Sequence, residues 1–486
     1  MAFILIVEDD QTFINALTLK LTGLSNRIQV SVARSRDSAI AQLAGGYFDL
    51  IVLDLKIPTV DDRPDADVTH GHAVFAKSQE LAPGTAIFVL TGSPAEDFIP
   101  ALLQRAQQVD VWGEGRRIKT VDFLPKHRFD KFSEMLAPIV EAISSLSDIE
   151  FKGEADLSLS QAQDRLIRIF TRRRGGARCA ISRVSSGLSG AEVLRLRITD
   201  EAGAPRDLAI AKIGTHDQIR EETEHFDRHV SRLEPEATPR KLDVLEYGAK
   251  NLAGVFYSLA AGFDRSFFDL VKENDVGTSD AVKKVEMLTK KWRDGVGESR
   301  VSARDVRRRL LDDITFHQLI VAHGLDWARD LENRQMQVRW CCVHGDLHGL
   351  NVLVDADNKC VLIDYGDIAD GPASLDPITL EFSVLCHSVG PLVASPWPQA
   401  DRALQWGDLG NYLQDCPCPN FVRECRAWAK RVAVGDRELA VTACFYLIRQ
   451  LKYGDTNKKR ILNLLAGVKV LVDQTYGQLP ASKIPS

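Results

Sequence analysis

Between Trp340 and Asp367 the chain reads WCCVHGDLHGLNVLVDADNKCVLIDYGD. A short apolar run, Trp340–Val343, gives way to the polar and Gly-containing stretch His344 to Asn351. Two apolar, β-branched runs follow, Val352–Val354 and Cys360–Ile363, and Asp355 to Lys359 between them has turn composition. Pairing these runs as a hairpin brings Asn351 and Asp364 to one end, with Asp346 beside them on the preceding loop. Two side chains able to hold a cation and one further carboxylate then converge from separate points of the chain. Phosphoryl transfer needs that set: ligands for Mg²⁺ on the nucleotide phosphates, and a carboxylate to receive the proton of the attacking hydroxyl. An acidic loop that only solvates a sheet edge would not require three submotifs at these spacings.

HGDLHGLNVLV followed by IDYGD resembles the catalytic and metal-binding motifs of the aminoglycoside and choline phosphotransferases, relatives of the eukaryotic-type protein kinases. The resemblance implies that Asp346 is the catalytic base and that Asn351 and Asp364 are Mg²⁺ ligands. Ser374-Leu375-Asp376-Pro377, with Glu381, resembles the Asp-Pro segment that follows the metal loop in that family. Protein kinases proper usually carry Arg before the catalytic Asp and Phe before the Gly of the metal loop. Gly345 and Tyr365 stand at those positions here, which favours the small-molecule branch.

The elements that must position this loop begin near residue 180. Cys179–Val184 and Val193–Thr199 read as strands around a turn holding Gly187 and Gly190, whose backbone N–H groups are suited to phosphates. Leu208–Ile213 is a further strand carrying Lys212, and a lysine embedded in an apolar strand after a Gly loop reads as phosphate-binding. In the next helix, register selects Glu222 as its partner. Gly254–Ala261 takes the place of the family's hinge, where backbone around Ser258 to Ala260 would meet the adenine of ATP. Residues 264–336 and the C-terminal helices would build the acceptor site, with no pattern that identifies the acceptor.

A second constellation lies at the other end of the chain. Phe3–Val7, Ile28–Val32, Leu50–Leu53, Ala86–Leu90 and Thr120–Leu124 are apolar runs alternating with helical patterns, which predicts a parallel sheet with right-handed crossovers. All but the second end on polar groups: Glu8, Asp9 and Asp10, then Asp54, Thr91 and Lys126. Functional residues of such sheets lie beyond the carboxyl ends of the strands. This arrangement resembles the receiver domain of response regulators. By that resemblance Asp54 accepts a phosphoryl group, Glu8 and Asp9 with Asp10 hold Mg²⁺, Thr91 and Lys126 contact the phosphoryl oxygens, and Phe123 is the aromatic switch. Two inserts depart from the pattern, an acidic one between Pro58 and Gly71 and one around Trp112. Trp112 is either a partner anchor or packed against its own loop.

The fold class expected is therefore α/β: a doubly wound (βα)5 receiver over residues 1–145, a helical linker over 146–180, a bilobal α+β kinase-like domain over 181–475 and a tail over 476–486. The chain has 486 residues, 26% of them charged, with a net charge of −6, which argues against nonspecific nucleic-acid binding. No apolar run approaches a membrane span, the acidic N-terminus is unlike a signal peptide, and nine scattered cysteines fit reduced thiols, so a cytoplasmic location is expected. Arg172-Arg173-Arg174 before Gly175 reads as a helix C-terminus, not as a nucleic-acid contact. The expected function is a phosphorelay response regulator whose output is an ATP-dependent phosphotransferase. The expected partners are a histidine kinase or other phosphodonor, a hydroxyl substrate, and a second copy of the chain at the receiver. The competing expectation is a nucleotide-binding pseudokinase scaffold in a bacterial signalling or conflict system.

Overall fold

Five strands, β1 (Ala2–Val7), β2 (Ile28–Ala33), β3 (Leu50–Leu53), β4 (Ala86–Thr91) and β5 (Val121–Pro125), pair in parallel in the order β2-β1-β3-β4-β5. Every residue of β3 and β4 is buried, as expected of strands covered on both faces. In this computed structural model the described residues are 1–92, 106–153, 157–186, 192–235, 238–259 and 262–477. They belong to two units, residues 1–220 with 241–259 and residues 221–240 with 260–486.

In the first unit, α1 (Gln11–Leu24), α2 (Arg36–Gly45), α3 (Val68–Leu81) and α4 (Phe132–Ser145) accompany the parallel sheet. Asp10 caps α1 through the Thr12 and Phe13 N–H groups, and Ser35 with Ser38 forms a capping box on α2. A second sheet follows, built from β6 (Glu150–Gly153), β7 (Arg178–Ser186), β8 (Glu192–Thr199), β9 (Pro205–Thr215), β10 (Lys241–Leu245) and β11 (Leu252–Ser258) in the order β10-β11-β9-β8-β7-β6. Residues 147–154, aperiodic in sequence, supply β6, which adds in parallel to the edge at β7. Its position is fixed from outside the strand: Arg168 lies over the Phe151 ring at 4.1 Å and donates to the Ile149 carbonyl.

Arg168 belongs to α5 (Gln161–Arg173), the helix between the two sheets of this unit. Leu166, Ile169 and Phe170 of α5 share one apolar core with Ile4, Leu50 and Leu136 on one side and Leu196 and Phe256 on the other. Phe170 stacks on Phe256 at 3.9 Å. Trp112 is 2% exposed in the same core, so it packs inward. The Arg run stitches this junction: Arg172 donates to the Ala142 carbonyl at 2.7 Å, and Arg173 pairs with Asp243 at 3.0 Å.

In the second unit the described part of α6 (His216–His229) from Glu221 onward precedes β12 (Glu298–Ser302), α7 (Ala303–Leu310), β13 (Gln335–Val343), β14 (Val352–Val354), β15 (Cys360–Leu362) and β16 (Ala369–Pro372). The helices α8 (Leu375–Cys386), α9 (Pro419–Val432), α10 (Asp436–Gln450) and α11 (Lys458–Thr475) complete the part that matters here. The predicted hairpin forms, with Val352 opposite Leu362 and Val354 opposite Cys360. β13 pairs with β12 and β16. Every residue of α8 is buried, because the apolar faces of α9 and α10 close over it. Among the described residues no helix is long and apolar enough to cross a membrane, and all nine cysteines are free thiols.

Candidate functional site

At the carboxyl edge of the parallel sheet, Glu8, Asp9 and Asp54 each offer a carboxylate oxygen within 4.8 Å of the others. Lys126, just after β5, reaches across to Asp54 at 2.8 Å and Glu8 at 2.7 Å. Thr91 ends β4 and is 1% exposed, and the Asp10 side chain turns away to cap α1. Burial and the neighbouring Asp54 charge push the Glu8 carboxyl up to about 7, against the pull of Lys126. Burial works against the Lys126 charge, but Asp54 and Glu8 outweigh it and hold the ammonium above its ordinary range. Three carboxylates around one lysine are a site short of positive charge. Hard oxygen ligands at this spacing suit Mg²⁺.

The second constellation is assembled by the loop between β13 and β14. Asp376, near the start of α8, accepts from the His344 N–H at 2.9 Å and the Gly345 N–H at 3.0 Å and so holds the loop from below. The Asn351 amide donates to the Asp346 carbonyl at 2.9 Å, and the Ile363 N–H to the Asn351 carbonyl at 3.0 Å. Asp346 and Asn351 are thus bonded directly, and Asp364 follows Ile363, which is bonded to Asn351. Asn351 is 1% exposed, and among the described residues nothing donates to its Oδ1, which leaves that oxygen for a cation. Asp364 has φ +64°, a left-handed backbone uncommon for a residue with a side chain, of the kind that gathers at functional sites. Gly345 has φ +82°, and a Cβ there would lie 2.3 Å from an Arg309 nitrogen and 2.4 Å from the Asp367 carbonyl. A side chain is thus disfavoured at this position by the positive φ and the Asp367 backbone carbonyl, with the tip of Arg309 of α7 beside them.

Residues 4–109 match the family model described as response regulator receiver domain, and residues 291–410 match the phosphotransferase enzyme family. The chain joins a receiver domain to a phosphotransferase domain. Among solved structures, a type VIII aminoglycoside-3'-phosphotransferase is similar over 60% of this chain and 100% of its own, at 19% identity and a TM-score of 0.35. The ADP-bound aminoglycoside phosphotransferase APH(2'')-Ib is similar over 60% of this chain and 94% of its own, at 13% identity and a TM-score of 0.30. The receiver domain of a sensor histidine kinase from Pseudomonas aeruginosa PAO1, with magnesium in its active-site cleft, is similar over 28% of this chain and 98% of its own, at 16% identity and a TM-score of 0.20. No curated protein matches the chain.

Of the other residues expected at a nucleotide, Lys212 lies on β9 and is 6% exposed, and Ser258 ends β11 opposite Ala209. Glu222 is fully buried and accepts from the Tyr365 N–H at 3.2 Å. Gly187, Gly190 and Ala260 lie outside the described residues. Three groups beside Asp346 in the phosphotransferase domain were not anticipated from sequence. Arg449 of α10 has a nitrogen 3.6 Å from Asp346 Oδ1, and His348 Nε2 lies 3.6 Å from Oδ2. His387, at the end of α8, packs tilted against His348 with ring centroids 4.7 Å apart. Burial pushes the His348 imidazole below its usual value, and burial with the His348 neighbour pushes His387 down to about 4, so both rings are neutral near pH 7. A lone cation in the otherwise apolar run Cys444–Ile448 and beyond was the available signal for Arg449.

Proposed function

We propose that the chain is a response regulator whose output is ATP-dependent phosphoryl transfer to a hydroxyl acceptor, controlled by phosphorylation of Asp54. The convergence of Asp346, Asn351 and Asp364 on one braced loop carries this reading. Asp346 orients the acceptor hydroxyl and takes its proton as the new phosphorus–oxygen bond forms and ADP leaves. Asn351 Oδ1 and the Asp364 carboxylate would hold Mg²⁺, and Lys212 is assigned to the phosphates of ATP. In the receiver, Asp54 receives the phosphoryl group from a histidine kinase or another phosphodonor. Glu8 and Asp9 would hold Mg²⁺ with it, and Lys126 and Thr91 face the transferred oxygens. Bound Mg²⁺ would supply the positive charge that the three receiver carboxylates lack.

Control is supported by how the receiver is mounted. Its docking groups, Phe3, Tyr47, Asp49 and Gly84, precede or begin strands, whereas Glu8, Asp54, Thr91 and Lys126 lie at the opposite ends. The Gly84 N–H donates to the Lys250 carbonyl at 2.8 Å, and the Tyr47 hydroxyl lies 2.9 Å from the Gly248 carbonyl. The acidic edge is thus left to a donor while the other edge is fixed to the sheet that carries Lys212.

Asp346→Asn tests the reading, because it keeps size and loses the charge. ATP affinity should stay within about threefold, while phosphate transfer falls on the order of 10²–10⁴-fold. If Asp346→Asn preserves transfer, or preserves the cellular output along with nucleotide binding, catalysis by this loop is refuted and a scaffold role replaces it.

A further inference from the structure

Buried arginines in this chain use their donors. Arg426 grips Glu381 at 2.6 and 2.9 Å and also donates to the Trp406 carbonyl at 2.9 Å. Arg307 donates to Glu332 at 2.7 Å and to the Leu311 carbonyl at 2.8 Å. Arg165 holds Asp49 and the Met1 carbonyl. Arg449, partly exposed, differs. Its side chain is 15% exposed, yet among the described residues its guanidinium makes no hydrogen bond; its ion pair is the 3.6 Å approach to Asp346. A guanidinium carries five donors and cannot lose its charge, and with none of them bonded to the described protein groups they are open to water or to a ligand. The groups around it explain why none is matched from within. The Asp346 carboxylate stays 3.6 Å away, Asp367 gives its carbonyl to Arg309, and burial holds the His348 imidazole below its usual value. Arg309 adds a second cation to the same loop, with a buried Nε that has no hydrogen-bond partner among the described residues.

We propose that Arg449 recognises an oxyanion, and that the acceptor is a hydroxyl compound bearing a carboxylate or phosphate close to the hydroxyl that is phosphorylated. This rests on the phosphotransferase reading of Asp346 and adds the substrate class. A planar fork of donors fits carboxylate and phosphate oxygens in a two-bonded geometry. A cationic acceptor, an amino sugar or choline, would instead bring an ammonium against Arg449 and Arg309.

The test uses the full chain saturated with Mg²⁺-ADP and small probes: glycerol 3-phosphate and glycerate as anions, glycerol as the neutral isostere, choline and kanamycin as cations. Calorimetric titration should show both anions binding at least about tenfold more tightly than glycerol, choline or kanamycin. Arg449→Gln should bring the anions to the level of glycerol, Arg449→Lys should keep part of the difference, and Mg²⁺-ADP affinity in both variants should stay within about threefold, which also reports folding. Cations binding as tightly as anions, or anion affinity unchanged in Arg449→Gln, would overturn the inference while the phosphotransferase reading stands. So would a variant that loses Mg²⁺-ATP affinity alone, because the guanidinium would then serve the nucleotide's terminal phosphate. Absence of any Mg²⁺-nucleotide binding in the native chain would overturn the phosphotransferase reading and this inference together.

Discussion

The pair Asp49–Arg165 decides whether the receiver and the adjoining sheet behave as one body. The Asp49 side chain is 0% exposed and the Arg165 side chain 5%. Asp49 accepts from the Phe3 N–H at 2.8 Å and from Arg165 at 2.8 Å, and lies 2.9 Å from the Tyr47 hydroxyl. Arg165→Met keeps an unbranched side chain in the α5 core but leaves a buried carboxylate with neutral donors alone. Breaking a buried pair from one side costs about 3–5 kcal/mol, and the lost bond to the Met1 carbonyl adds about 1 kcal/mol. Burial already holds the Asp49 carboxyl above its usual range despite Arg165. A raised folded value means that the folded state prefers the neutral acid. The deficit is therefore full at pH 7 and shrinks as the pH falls toward that value. Asp49→Asn added to Arg165→Met should return about 1–3 kcal/mol by removing the stranded charge. Urea unfolding of the full chain measures these differences, and amide exchange locates them. Because Ile4, Leu50, Leu166, Leu196 and Phe256 share one core, β1, β3, β8 and β11 should lose protection together. A loss below about 1 kcal/mol, or protection lost in β1 and β3 alone, would refute a common core held by this pair.

Three further outcomes follow from the same geometry. Incubation with a small phosphodonor and Mg²⁺ should give a base-labile acyl phosphate that Asp54→Asn abolishes; labelling that survives the substitution removes Asp54 from the role. Mg²⁺ needs the ionised Glu8 carboxylate, whose value is raised to about 7 by burial and Asp54, so the proton competes below that pH. Titration calorimetry should show affinity falling about fivefold between pH 7 and 6, with Glu8→Gln weaker throughout and flat; an equal slope in both would exclude Glu8. Gly345→Ala forces a Cβ into φ +82° against Arg309 and the Asp367 carbonyl. It should cost about 1–3 kcal/mol in thermal unfolding and weaken Mg²⁺-ATP binding through the Asp364 loop, and unchanged values for both would mean that the loop tolerates displacement.

The sequence by itself determined the strands, the hairpin and the two sets of carboxylates. Their signals are local: alternation of apolar runs with helical periods, a turn between Val354 and Cys360, and polar residues placed where strands end. A hairpin register is set by its own turn and pleat, so Asn351 and Asp364 could be paired before any packing was known. Tertiary structure decided what those sets touch. β6 has no period of its own and becomes a strand because the edge at β7 and the Arg168 side chain are there to receive it. Gly345 reads only as a departure from a motif until its positive φ and the Asp367 carbonyl pressed against it are seen. Arg165 and Arg449 look alike in sequence, each a cation beside apolar residues of a helix. One is matched by a buried carboxylate and the other is left with open donors beside Asp346. That difference is set by long-range docking of helices, where burial and unmatched polar groups are decided and to which local spacing carries no information.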